Sequence, residues 1–129
     1  MKIPFEKITE ISYALLGRNP NPQFKHFSFI LDRGRIISIG INLQKKTHPI
    51  AKKYNQFSSA IHSELSAALK LGDVDFSDYV LVNTRINREN KLASSYPCEG
   101  CAKMIMEQFN FEEVWATDNN GQFVRWPVI

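Results

Sequence analysis

The feature that most constrains this chain is a pair of short motifs at the starts of two helix-like runs, with a buried strand between them. They are His62-Ser63-Glu64 and Pro97-Cys98-Glu99-Gly100-Cys101. Cys98 and Cys101 are the only two cysteines. In a reducing compartment a CxxC favours metal binding or redox chemistry over a structural crosslink. The run between the motifs, Tyr79 to Ile86 (YVLVNTRI), has the β-branched, apolar character of a strand covered on both faces.

The remaining elements follow from periodicity. Residues 5 to 16 set Phe5, Ile8, Ile11, Leu15 and Leu16 on one helical stripe, with Gly17 as the stop. Phe24 to Leu31 and Arg35 to Ile41 flank Asp32-Arg33-Gly34 and read as a β-hairpin. Residues 42 to 58 carry lysines, Pro49 and little periodicity, and are expected to form a loop with at most a helical turn. Ser58 or Ser59 is the expected cap of a helix from Ala60 to Leu71, with His62 and Glu64 in its first turn and Gly72 ending it. A polar loop runs to Tyr96, and Pro97 opens a third helix, CEGCAKMIMEQF, whose N-terminal turn holds both cysteines. Glu113 to Ala116 and Phe123 to Ile129 are strand-like around Asp118-Asn119-Asn120-Gly121, a hairpin signal, although Pro127 weakens the last strand. The order α, β, β, α, β, α, β, β predicts a mixed sheet with parallel neighbours near its middle and helices on its faces. No repeat, linker or composition shift divides residues 1–129, so a single domain is expected.

Composition narrows the class. Hydrophobic residues make up 43% and charged residues 22%, ordinary values for a globular protein. No apolar run has the length of a membrane span, and the first residues lack the pattern of a secretory leader, so a cytoplasmic protein without a membrane partner is expected. A net charge of +3 permits an anionic substrate without the strongly basic balance of a dedicated DNA-binding domain.

Two thiolates and one imidazole suit tetrahedral zinc, and three protein ligands leave the fourth position open, as catalytic sites require. Helix N-termini favour thiolate over thiol at Cys98 and Cys101. Glu64, two residues past His62, can face the same pocket without ligating and is placed to carry protons. A thioredoxin-like redox CxxC is the alternative for the cysteines, but it leaves His62 and Glu64 without a role. A structural zinc site completed by His26 or His48 is the other alternative; otherwise these two are surface or packing residues.

On these motifs and on the element order, the chain resembles the cytidine/deoxycytidylate deaminase superfamily, in which H-x-E…P-C-x-x-C marks zinc-dependent nucleobase deaminases. The likeness runs from the first hairpin to the end of the chain. It implies a three-layer α/β/α fold with a mixed five-stranded sheet in the order 2-1-3-4-5, in which the Asp118 to Gly121 turn makes the last two strands an antiparallel hairpin. It also implies one zinc ion per chain on His62, Cys98 and Cys101, with Glu64 as the proton shuttle, and a homo-oligomer.

By the same resemblance Asn42, at the end of the second strand, is a substrate contact. Free-nucleoside deaminases place a glutamate two residues later, where this sequence has Gln44. Lys45 and Lys46, with Lys52 and Lys53, fall in a loop that the resemblance puts at the pocket mouth. The expected reaction is deamination of a cytosine-type base in a free nucleoside or nucleotide. Single-stranded DNA or RNA is the alternative substrate, and a zinc-stabilised binding module without turnover is the non-enzymatic one. Ser63, where the family commonly has alanine, reads as a tolerated change between small residues.

Overall fold

Along Lys25–Asp32, Phe27, Phe29 and Leu31 alternate with Ser28 and Ile30, and all five are buried. A strand buried on both faces belongs in the interior of a sheet with helices on either side. The computed structural model, which describes residues 2–16, 25–54 and 60–127, has that arrangement. Helix α1 (Phe5–Ala14) leads to strands β1 (Lys25–Asp32) and β2 (Arg35–Ile41), then to β3 (Leu43–Thr47) and α2 (Pro49–Tyr54). The short β4 (Ala60–Ile61) leads into α3 (Ser63–Leu71), followed by β5 (Val80–Ile86) and α4 (Glu99–Met104). One π-helical turn, Ile105–Phe109, continues α4 before β6 (Glu113–Thr117) and β7 (Phe123–Trp126).

The main sheet runs β2-β1-β5-β6-β7, which is 2-1-3-4-5 when its strands are counted alone. β1 is antiparallel to both β2 and β5, β5 is parallel to β6, and β6 is antiparallel to β7. The β1–β2 hairpin turns on Arg33 and Gly34, both at positive φ, which matches the right-handed twist of the strands. The expected mixed five-stranded sheet is therefore present.

Helix α1 covers one face, where Ile8 packs with Phe27, Phe29, Leu31, Val80, Val82 and Ile86. On the other face Ile30 and Leu81 meet Ala67 and Ala68 of α3, Ile105 and Val114. Burial of a Phe or Leu at such positions contributes about 2–3 kcal/mol each. A third cluster, Ala51, Ile61, Leu65, Cys101 and Met104, packs α2, α3 and α4 against one another at the motif-bearing end. The layers are α/β/α. Among the described residues no helix is long and apolar enough to cross a membrane.

Several boundaries differ from expectation. Residues 43–47 and 60–61, read as loop and as helix, form a small two-stranded ladder, Leu43 opposite Ile61 and Thr47 opposite Ala60. That pairing delays α3 to Ser63, so His62 occupies its N-cap instead of its first turn. The serines expected to cap it, Ser58 and Ser59, lie outside the described residues. The third helix runs on to Phe109 as expected, its last five residues as the π-helical turn, and Cys98 is its N-cap instead of part of its first turn. α1 ends at Ala14, two residues before the expected Leu16, and β7 ends at Trp126, before Pro127.

Candidate metal centre and active site

Helix α3 is clamped to the end of β2. Asn42, the residue after the strand, accepts a hydrogen bond on Oδ1 from the Ser63 N–H at 3.0 Å. It fills the capping role that His62, which makes no side-chain cap bond, does not take. Gly40 permits the close approach: a Cβ there would overlap the Ser63 carbonyl oxygen and the Ala67 nitrogen.

The start of α4 is built from its own motif. Cys98 is extended at the N-cap, with φ −65° and ψ 168°, and its Sγ accepts from the Cys101 N–H at 3.4 Å. The two helix starts meet. His62 Nδ1 lies 3.1 Å from Cys101 Sγ and 3.6 Å from Cys98 Sγ, and the three ligand atoms all lie within 4.8 Å of one another. Zinc bonds of ordinary length in a tetrahedron separate a nitrogen from a sulfur by about 3.6 Å. The donor set and its spacing fit that ion. Among the described residues no other His, Cys, Asp or Glu joins the group.

The electrostatics suit metal ligation. Hydrogen bonds from the Cys101 and His62 side chains hold the Cys98 thiol down to about 4, so it is a thiolate at neutral pH. His62 is raised from its ordinary value, chiefly by its hydrogen bond to Cys98. Protons on these groups therefore compete with a metal for the same lone pairs.

Glu64, the second residue of α3, is buried. Burial pushes its carboxyl up from the ordinary carboxylate range, opposed by a hydrogen bond from its own backbone N–H and by the nearby His62. Oε2 accepts from Asn83 Nδ2 at 3.0 Å, and Oε1 has a longer contact with Ser63 Oγ at 3.3 Å. Ser28 Oγ donates to Asn83 Oδ1 at 2.6 Å and lies 2.7 Å from Ser63 Oγ. On its other side Asn83 meets the segment leading to Pro97: its amide lies 3.5 Å from the Ser95 carbonyl, and Ser95 Oγ donates to the Asn83 carbonyl at 2.9 Å. Thr117 completes this support through bonds to Ser95 Oγ and to the Ala93 carbonyl.

His26 pairs with Arg85 across β1 and β5, in the same register as Ser28 with Asn83. Side chains two residues apart on a strand share a face, so His26 and Arg85 continue the Ser28–Asn83 row. Burial, with Arg85 and His62 nearby, lowers His26 to about 4, so its imidazole is neutral.

No protein-family model matches the chain, and no curated protein matches it in sequence. A search of solved structures finds a dCMP deaminase from the cyanophage S-TIM5, solved in apo form, at a TM-score of 0.55 and 22% identity, over 92% of this chain and 86% of that one. The two share one fold. Against that deaminase fold, the structure brings together His62, Cys98 and Cys101, with Glu64 on the same helix start. Asn42 lies beside them with its Oδ1 committed to capping. The side chains of Gln44, Lys45 and Lys46 fall outside the described part of the structure, whose backbone at these positions is β3. His48 stands apart, accepting the Ile50 N–H at 3.1 Å to cap α2. Sequence reasoning passed over Ser28, Asn83 and Ser95, and took Ser63 for a neutral substitution although its hydroxyl is hydrogen-bonded.

Proposed function

We propose that this protein is a zinc-dependent hydrolase that deaminates a cytosine-type base of a free nucleoside or nucleotide and releases ammonia. The observation that carries the reading is one imidazole and two thiol sulfurs converging at zinc-ligand spacing, with a buried carboxyl two residues from the imidazole. The shared fold with a dCMP deaminase supports it.

His62, Cys98 and Cys101 would hold the ion. Bound there, the ion would supply Lewis acidity, which would bring a hydroxide-like nucleophile within reach at neutral pH. Glu64 moves the protons. Its carboxylate takes one from the attacking water and passes it to the ring nitrogen as oxygen adds at the amino-bearing carbon. The second proton of the water then leaves with the amino group, so that cytosine and water become uracil and ammonia. Burial, which raises the Glu64 carboxyl from its ordinary range, favours its holding a proton between the two transfers. Asn42, Gln44, Lys45 and Lys46 are the proposed contacts for sugar or phosphate. Single-stranded nucleic acid finds no support in the fold comparison and enters as an arm of the test.

That test is ammonia release by the zinc-loaded protein from cytidine, deoxycytidine, their monophosphates, and single-stranded DNA and RNA. Turnover of at least one free nucleoside or nucleotide is expected. Turnover confined to polynucleotide, and falling steeply with salt, would overturn the choice of substrate.

A further inference from the structure

We infer that Asn83 is a positioning residue that fixes the carboxylate of Glu64, through a hydrogen-bond array completed by Ser28 and Ser63. The inference rests on the reading of Glu64 as the proton carrier. Asn83 sits in the middle of β5, directly after the apolar run Val80-Leu81-Val82, and it is fully buried. An amide there forfeits the burial energy of an apolar side chain and costs desolvation unless every group is paired. All of its groups are paired, and the pairing has a direction.

The Ser95 carbonyl can only accept, so the amide nitrogen of Asn83 must lie on the side of Ser95 and Glu64, and Oδ1 on the side of Ser28. The single hydroxyl hydrogen of Ser28 is then committed to Asn83 Oδ1. In the 2.7 Å contact between Ser28 and Ser63, Ser63 is therefore the donor. That leaves the Asn83 amide as the short side-chain donor to Glu64, on Oε2. The same asparagine touches Ser95, three residues before Cys98, so one side chain spans from the proton carrier to the segment that delivers a zinc ligand.

Removing a group that orients a reacting residue typically costs 10- to 100-fold, without the loss of binding that follows from removing a substrate contact. The test uses the full-length zinc-loaded protein as parent, Asn83→Ala, Ser28→Ala and Ser12→Ala. Ser12 pairs with Thr84 at 2.7 Å, on the opposite face of the same strand, and serves as the purely structural control. For each, kcat and KM on the best substrate, zinc content and melting temperature are measured, and crystal structures of the parent and of Asn83→Ala are compared at the Glu64 carboxylate.

The expected result is a fall in kcat of about 10- to 100-fold in Asn83→Ala with KM within about twofold and one zinc per chain. A smaller fall in the same direction is expected for Ser28→Ala, while Ser12→Ala melts lower but keeps kcat within about twofold. The Glu64 carboxylate should be turned from its parent orientation in the Asn83→Ala structure. If Asn83→Ala does not fold, the milder Ser28→Ala decides. Unchanged kcat in a zinc-loaded Asn83→Ala or Ser28→Ala, or an equal loss in Ser12→Ala, overturns the inference. A parent without deaminase activity overturns the proposed function instead, and the carboxylate orientation still decides the role of Asn83.

Discussion

Replacing Gly40 with alanine asks how closely α3 must lie against β2. A Cβ on Gly40 would come 2.9 Å from the Ala67 Cα and nearer still to the Ser63 carbonyl oxygen and the Ala67 nitrogen. All three are backbone atoms, so no side chain can rotate to make room. Ordinary van der Waals separation requires α3 to move off the sheet by about 1 Å, because dispersion contacts tolerate only a few tenths. Overpacking of this kind costs about 1–3 kcal/mol, and the upper end applies where only backbone can yield. For a domain of this size about 3 kcal/mol corresponds to a drop of roughly 10 °C in Tm. The same shift carries His62 and Glu64 away from α4, and a misplacement of about 1 Å costs about 100-fold in rate. Differential scanning calorimetry and ammonia release on Gly40→Ala measure both effects. A Tm within 2 °C of the parent, about 0.5 kcal/mol by the same scaling, together with unchanged kcat would refute the close helix–strand contact.

Three further outcomes follow from the same geometry. Cys101→Ser should lose the metal together with the stability that metal binding confers, so that a chelator lowers the Tm of the parent but not of the variant; unequal metal contents of one and zero per chain are the readout. Asn42→Ala should cost about 0.5–2 kcal/mol in urea unfolding by uncapping α3, and Asn42→Asp, which keeps an acceptor, should recover most of it. His26 has a folded pKa of about 4 against 6.5 for the free side chain, so the unfolded chain binds a proton between those values that the fold does not. Its contribution is present above pH 6.5 and lost as pH falls toward 4, at most about 3 kcal/mol and less after solvent screening. Arg85, His62 and Cys98 are the groups that face it. Parallel stability curves for the parent and His26→Gln between pH 7 and pH 5, at matched zinc content, would contradict this.

The sheet was legible because its signals are redundant. Phe27, Phe29 and Leu31 announce a buried strand by alternation, Asp32-Arg33-Gly34 announces the turn, and the two helical runs can only cross over it. The candidate metal centre was legible because cysteine is scarce here and its spacing is specific. What escaped notice depends on pairings distant in sequence. The start of α3 is set by Asn42 reaching across to the Ser63 N–H and by β3 pairing with Ala60–Ile61, and neither is a local propensity. The polar array around Glu64 left one trace, since Ser28 interrupts the apolar run Phe27 to Leu31 and Asn83 ends the apolar run Val80 to Val82. A lone polar residue in a buried strand has no partner that sequence can name, so their mutual contact needed the register of β1 against β5. His26 was read as a surface or packing residue, or as the fourth ligand of a structural zinc site, for the same reason: only that register sets it beside Arg85, in the row of Ser28 and Asn83.

The central claim is that ligation and proton transfer are divided between different residues. It is tested most directly by measuring zinc content and ammonia release together in the parent and in Glu64→Ala, with the free cytosine nucleoside or nucleotide that the parent turns over best. One zinc per chain in both proteins is predicted, with ammonia released by the parent and a rate at least about 100-fold lower in the variant. Loss of zinc in Glu64→Ala, or undiminished ammonia release from it, would contradict the account.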